Sequence, residues 1–431
     1  MEKINRRFSI NSIRIVNKTK VEYEYEYAPS LNKYFKKNEI FFIEFDIDVS
    51  NVPRSILGIP FLSNLLPISW FLGFDIYIDE VDENFFKAQE KIKNEFLRLY
   101  PELAKKPSGL MVDRLSKNSI SGSKPAMLFS GGIDSYTTYF RHFDETPDLI
   151  TVIGADIPLN DFTLQERVLS LNSSEKILEQ NKKFVIKTNF QDFYTYHVDL
   201  LLPDLSWWGE VQHGMALIGS TSPLTYINGN NIVYIASTNT EKIQIPWGSN
   251  PYIDNNMKWA DVEVIHDGYE LERIDKIKYI VQESIARNYR PKLRVCYSKL
   301  NSKINCSECE KCVRSAFGIM LSNDNPNLYG FDFSEKIFDT IVHILSGKLN
   351  AKWKRRQWQQ LTDLFRKHLN NIYLFGKDNN EPEIKLLLKI IIPDAFESNK
   401  QSSIIKKFKF VLLRKFPKEF DVYLKLREKI L

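Results

Sequence analysis

Cysteine is scarce in this chain and confined: among 431 residues only Cys296, Cys306, Cys309 and Cys312 carry a thiol, all in one short window. No thiol is left over for a disulfide framework of the secreted kind, or for an amino-terminal cysteine nucleophile, since Glu2 follows Met1. Also missing is any uniformly apolar run of the roughly 18 residues that a membrane span requires. The most apolar stretch, Ile56 to Ile76, is interrupted by Gly58, Pro60, Asn64 and Pro67. The opening Met1-Glu2-Lys3-Ile4 lacks a signal-peptide pattern. These absences predict a soluble, cytoplasmic protein. Neither G-x-x-x-x-G-K-[ST] nor G-x-G-x-x-G occurs, which excludes the two commonest phosphate-binding signatures. No internal repeat and no long low-complexity stretch is present.

What the chain does have is apolar mass: 43% hydrophobic and 13% aromatic residues suffice for the cores of two or three domains. Net charge is a modest +5, unevenly placed. Beyond Ala351 basic residues outnumber acidic ones, as in Lys352-Trp353-Lys354-Arg355-Arg356 and Lys406-Lys407-Phe408-Lys409. That excess reads either as the solvated face of a helix bundle or as a surface for nucleic acid or an acidic partner.

Periodicity divides the chain into three. Val21-Glu22-Tyr23-Glu24-Tyr25-Glu26-Tyr27 alternates with period two inside a strand-rich stretch from Phe8 to Asp48, and Asn84 to Leu99 has the spacing of an amphipathic helix. An N-terminal α+β domain over 1–118 follows, closed by the Ser119–Pro125 linker. Over 124–325 strands and helices alternate (126–129, 135–143, 149–155, 161–180, 183–188, 210–220, 231–236), the pattern of an α/β, doubly wound parallel sheet. From 330 to 431 apolar residues at helical spacing, such as Ile337, Ile341 and Leu345, then Leu361, Leu364 and Phe365, predict a basic helical C-terminal region.

The richest motif is Ser130-Gly131-Gly132-Ile133-Asp134-Ser135, set between the apolar Ala126–Phe129 run and an amphipathic stretch. A strand turning into a helix is where α/β proteins bind phosphate. Adjacent glycines let main-chain N–H groups approach a polyanion, while Ser130 and Ser135 add hydroxyl donors. Asp134 is unsuited to touching phosphate itself and makes sense as a magnesium ligand beside it. At the same sheet edge lie Asp156 and Ser237, polar residues just beyond apolar strands. Pro246-Trp247-Gly248-Ser249-Asn250-Pro251 is stiff and aromatic, a wall against which a purine-like ring stacks, although Trp247 also suits a core edge. His213, early in a helix, is readable as a general base or as a packed, structural imidazole.

Spacing of C-x9-C-x2-C-x2-C brings four thiolates together as a tetrahedral zinc site, with an iron–sulfur cluster the competing reading.

The S-G-G-x-D-S loop resembles the pyrophosphate-binding loop of the PP-loop, or N-type, ATP pyrophosphatases, which cleave ATP between its α and β phosphates and pass AMP to an oxygen nucleophile. Arg294-Val295-Cys296-Tyr297 with Asn305-Cys306-Ser307-Glu308-Cys309-Glu310-Lys311-Cys312 resembles the zinc knuckle of the QueC family, the 7-cyano-7-deazaguanine synthases, which also carry that loop. The resemblance covers about residues 124 to 320. It implies ATP, Mg²⁺ and Zn²⁺ as cofactors, a carbon–nitrogen ligase, and 7-carboxy-7-deazaguanine as the carboxylate adenylated. It further implies that residues 130–135 hold the ATP phosphates and that Arg273 and Lys276 neutralise departing pyrophosphate; by their place in the sequence, Asp156 and Ser237 are expected to help hold ATP, and Trp247, Gly248, Ser249 and His213 to face the substrate. The family's proline–glycine–arginine–asparagine segment is replaced here around Trp207-Trp208-Gly209. Larger relatives with extra flanking regions resemble components of bacterial antiviral defence operons, which implies a partner protein whose amine accepts the carboxylate. The alternatives are a stand-alone synthase that uses ammonia and makes a nitrile, and a PP-loop tRNA-modifying enzyme.

Overall fold

Alternating tyrosine and glutamate decide the first strands. In the computed structural model, which describes residues 6–243, 245–296, 303–347, 349, 351–379, 381–392, 407, 410, 411 and 415, β1 (Arg7–Val16), β2 (Lys20–Tyr27) and β3 (Phe41–Phe45) form an antiparallel meander. Val21 and Tyr23 are buried on one face of β2 while Glu24 and Glu26 stay exposed on the other, as period-two alternation requires. Helix α1 (Ile59–Leu72) is buried at every residue. Its glycine and proline punctuation, which interrupts the apolar run in the sequence, sits at the ends, apart from Pro67. β4 (Asp75–Asp82) leads directly into α2 (Glu83–Leu99), whose N-terminus is capped by the Asp82 carboxylate accepting from the Phe85 N–H at 3.0 Å. β5 (Leu110–Ser116) closes this part.

The alternating region follows as β6 (Lys124–Leu128), α3 (Ile133–Arg141), β7 (Asp148–Ile153), α4 (Phe162–Ser174), β8 (Lys183–Thr188), α5 (His213–Ser220) and β9 (Asn230–Ala236). β10 (Lys258–Trp259) and β11 (Val262–Asp267) then precede α6 (Arg273–Ala286). One 11-stranded sheet runs β10-β11-β9-β6-β7-β8-β3-β2-β1-β4-β5. Strands β11, β9, β6, β7 and β8 are mutually parallel, so the chain is an α/β protein with a large, mostly parallel central sheet. The order reverses between β6 and β9, and the Ser130–Ser135 loop leaves the end of β6 at that reversal, where α/β sheets open a crevice.

Segments 1–118 and 124–325 share this sheet. Ile43 pairs with Thr188, Glu44 with Lys187 and Phe45 with Ile186, antiparallel. They also share a core: one apolar cluster runs from Phe8 through α1 to Met215, Val233 and Val264. Beyond the sheet, α7 (Glu310–Met320) packs on α6, and α8 (Ile337–Ser346), α9 (Lys352–His368) and α10 (Pro382–Lys389) pack around Ile274, Phe317 and Trp358. The C-terminal basic region is thus helical over its described part. Of the Lys406–Lys409 run only Lys407 is among the described residues. No helix among the described residues is long and apolar enough to cross a membrane.

Candidate functional site

Gly131 carries the loop through φ +73°, a left-handed conformation that an L side chain adopts only with strain. Gly132 is the N-cap of α3 and receives no capping side chain from its own position. Ser130 Oγ lies 3.3 Å from Ser135 Oγ and accepts weakly from the Gly132 N–H at 3.4 Å, while the Ser135 hydroxyl donates to the Gly132 carbonyl at 3.1 Å. Ile133 is buried beneath. Two hydroxyls and a helix start therefore converge on one small bend, which suits an anion.

Opposite the bend stands α6. Arg273 Nη1 reaches Asp134 Oδ2 at 3.1 Å and Lys276 Nζ reaches Asp134 Oδ1 at 3.2 Å. Lys276, with 2% of its side chain exposed, also donates to the Ser237 carbonyl. Burial opposes ionisation of Asp134, but Arg273 and Lys276 outweigh it and hold its carboxyl below the ordinary range. Burial likewise pulls the Lys276 ammonium down. Ser237 contributes through its main chain; its hydroxyl donates to the Asn239 carbonyl at 2.7 Å.

The four thiols lie beside this cluster. Their sulfurs all fall within 4.8 Å of one another, with Cys296 to Cys309 at 3.8 Å and Cys306 to Cys312 at 3.9 Å, and none is in a disulfide. Bonds of about 2.3 Å to one tetrahedral ion put sulfurs ~3.8 Å apart. The set therefore fits a single metal such as zinc, and is too tight to enclose a four-iron cluster. Main-chain N–H groups of Glu308 and Cys309 donate to Cys306 Sγ at 3.4 and 3.2 Å, the support a knuckle gives a thiolate.

Two residues of this knuckle motif act on the loop, and neither was given a role from the sequence. Arg294 donates its main-chain N–H to the Gly131 carbonyl at 2.7 Å and its Nε to the Ser130 carbonyl at 2.8 Å. Lys311, between Cys309 and Cys312, joins the same charges: burial and Arg273 push its ammonium down to about 7 against the pull of Asp134. Their signal was proximity in sequence to cysteines, readable only once the knuckle is known to fold against the bend.

A second group lies on the α5 face of the sheet. His213 sits between the rings of Trp208 (5.0 Å) and Trp247 (5.8 Å), and burial lowers its pKa. A side chain at Gly214 would place Cβ 2.2 Å from Asp254 Oδ1 and 2.5 Å from the Gly248 carbonyl, so only glycine lets the 246–250 strap dock there. Gly248 and Ser249 are buried, and the Ser249 hydroxyl donates to Asp254 Oδ2 at 2.6 Å. Asp254 Oδ2 also holds His266 Nδ1 at 2.7 Å. Of the strap residues expected to face a substrate, Trp247 alone keeps a half-buried side chain; the other two hold the strap in place. Buried polar atoms without protein partners gather here among the described residues: His213 Nδ1, Trp247 Nε1, Asp254 Oδ1 and His266 Nε2. Such atoms are uncommon in proteins and collect at sites that take a ligand or water. Asp254 and His266 escaped the sequence because nothing in their spacing marks them. Asp156, exposed at the end of β7, acts electrostatically on His213, Arg294 and Lys311, which places it between the two groups.

The Lys352–Arg356 run has a use inside the molecule. Arg356 Nη2 bonds Glu272 at 2.7 Å, Gln360 bonds the same carboxylate at 2.5 Å, and Lys354 lies 3.6 Å from Glu310. Glu272 caps α6, which bears Arg273 and Lys276. Comparison of the chain with family models, with curated proteins and with solved structures returned no match.

Proposed function

We propose that this chain is an ATP-dependent, AMP- and pyrophosphate-forming ligase of the PP-loop, QueC-like kind, which adenylates a carboxylate and hands the acyl group to an amine. The observation that carries the reading is the bend at Gly131, lined by Ser130 and Ser135 at the head of α3 and faced by Arg273 and Lys276 across Asp134. The bend takes the β and γ phosphates, and the two cations offset charge on the departing pyrophosphate as the carboxylate attacks the α phosphorus in line. Asp134 would hold Mg²⁺ together with phosphate oxygens and water once the cations turn to the nucleotide; the ion supplies Lewis-acid polarisation of the phosphates. The four cysteines would hold Zn²⁺ as a fold-fixing ion.

The half-buried Trp247 and His213, with partnerless polar atoms around them, suit a flat heterocycle, in keeping with 7-carboxy-7-deazaguanine. The amine is that of a partner protein in antiviral defence, for which the β1–β5 layer and the C-terminal helices offer surface. Nucleic acid is the less favoured partner, since Arg356 and Lys354 are engaged with Glu272 and Glu310.

The test is a mass measurement on incubations with ATP, 7-carboxy-7-deazaguanine and either ammonia or a candidate partner. A mass adduct on the partner supports conjugation, a free nitrile supports the stand-alone synthase, and failure to release pyrophosphate with any of them overturns both.

A further inference from the structure

Arg294 bonds the anion bend from the metal knuckle. It stands two residues before Cys296, and its segment is tied into the knuckle by Asn305, which accepts from the Val295 N–H at 3.0 Å and donates to the Leu293 carbonyl at 2.7 Å. Asn305 immediately precedes Cys306. On the other side Arg294 grips the bend at two consecutive carbonyls, Ser130 and Gly131, and its own carbonyl lies 3.2 Å from where a Cβ on Gly132 would stand. Turning the Ser130 and Gly131 carbonyls toward Arg294 leaves the following N–H groups pointing the other way, into the bend, which is the arrangement an anion needs. Only Nε of the guanidinium is spent on the protein; among the described residues its Nη donors have no partner.

Resting on the anion-site reading above, we propose that Arg294 links the two sites: a metal held by Cys296, Cys306, Cys309 and Cys312 fixes Arg294, and Arg294 fixes the 130–135 bend in its diphosphate-binding shape. Metal and diphosphate then bind cooperatively, and the coupling is reciprocal. Without the ion the four thiolates no longer pin Cys296 to the Cys306–Cys312 turn, and the segment that carries Arg294 is left with the Asn305 hydrogen bonds alone on that side. Arg294 is a positioning residue for the bend.

Inorganic pyrophosphate is the probe, with binding read by calorimetry on the full chain, metal-loaded and after chelation, for the wild type and for Arg294→Ala. Loaded wild-type protein should bind pyrophosphate; stripping the metal should weaken binding at least tenfold. Arg294→Ala should keep its metal, bind at least tenfold more weakly, and lose little more on stripping, because the two changes break the same link. A parallel measurement follows metal release to a chromophoric chelator, which does not depend on the stripped protein staying folded. Pyrophosphate should slow release from the wild type and leave release from Arg294→Ala unchanged. Equal pyrophosphate affinity with and without metal, or additive effects of stripping and substitution, would overturn the link while leaving the anion site standing. If loaded wild-type protein bound no pyrophosphate, the anion-site reading and the link would fall together.

Discussion

Asp134 spends its carboxylate on Arg273 and Lys276, so its removal strands two cations, one of them with 2% of its side chain exposed. Asp134→Ala should abolish pyrophosphate release in the ligase assay and lower stability by on the order of 2 kcal/mol in denaturant titration at pH 7. Because the folded-state pKa is depressed, this stabilisation is present above the unfolded value near 4 and disappears as pH falls through the folded value; wild type and variant should converge in strong acid. Glu210 has the opposite sign. It is buried in the π-helical turn Trp208–Gln212, and burial with Asp204 nearby raises its carboxyl to about 7. A raised carboxyl favours the fold below the unfolded pKa and loses that advantage as pH rises through 7. Glu210→Gln should therefore raise the melting temperature at pH 8 and leave it little changed at pH 4.5; equal effects at both values would refute the assignment. At this scale the hexad was legible because phosphate chemistry restricts its residue types. Arg294, Lys311, Asp254 and His266 were not, since each acts through a neighbour brought close only by the fold.

Two elements depend on a third. Helix α9 reaches Glu272, the N-cap of α6, through Arg356 and Gln360, and reaches Glu310, at the head of α7, through Lys354 and Trp358, whose Nε1 donates at 2.8 Å. Breaking the first grip with Arg356→Ala and Gln360→Ala together should weaken pyrophosphate binding several-fold by loosening the turn that carries Arg273 and Lys276, with metal content unchanged. Unaltered affinity would reduce α9 to a packing element. The elements of the alternating region were readable from periodicity, and the structure shifts their ends by a few residues: β6 begins at Lys124, and the helix expected over 161–180 stops at Ser174, where Glu175 turns away to accept from Tyr289 at 2.8 Å. Helix α1 was not assigned from the sequence, where its prolines and glycines were weighed only against a membrane span. Only Pro67 opposes the helix from inside, and packing on both sides overrides it; the others sit at the ends, where they suit a helix.

Across the whole molecule the central fact is that β3 and β8 join two segments into one sheet, over a core that neither could fill alone. Deleting residues 1–118 should not yield a smaller soluble ligase: the edge of β8 and the apolar face under α1 would be uncovered, and the product should aggregate on expression. A soluble, monomeric 119–431 fragment would show that the long sheet is an annexe. The sequence announced the alternation but not the joining, because register between strands far apart in the chain leaves no local pattern. The joining also sets a timetable for synthesis. Gln212 donates to Asn64 at 2.6 Å across 148 residues of chain, so the apolar α1 leaves the ribosome long before α5 exists to cover it. At elongation rates of about 5–20 residues per second the wait is roughly 7–30 seconds. A nascent chain of this design carries an apolar α1 without its partner throughout that interval, and slowing translation after codon 72 should lower the yield of native product.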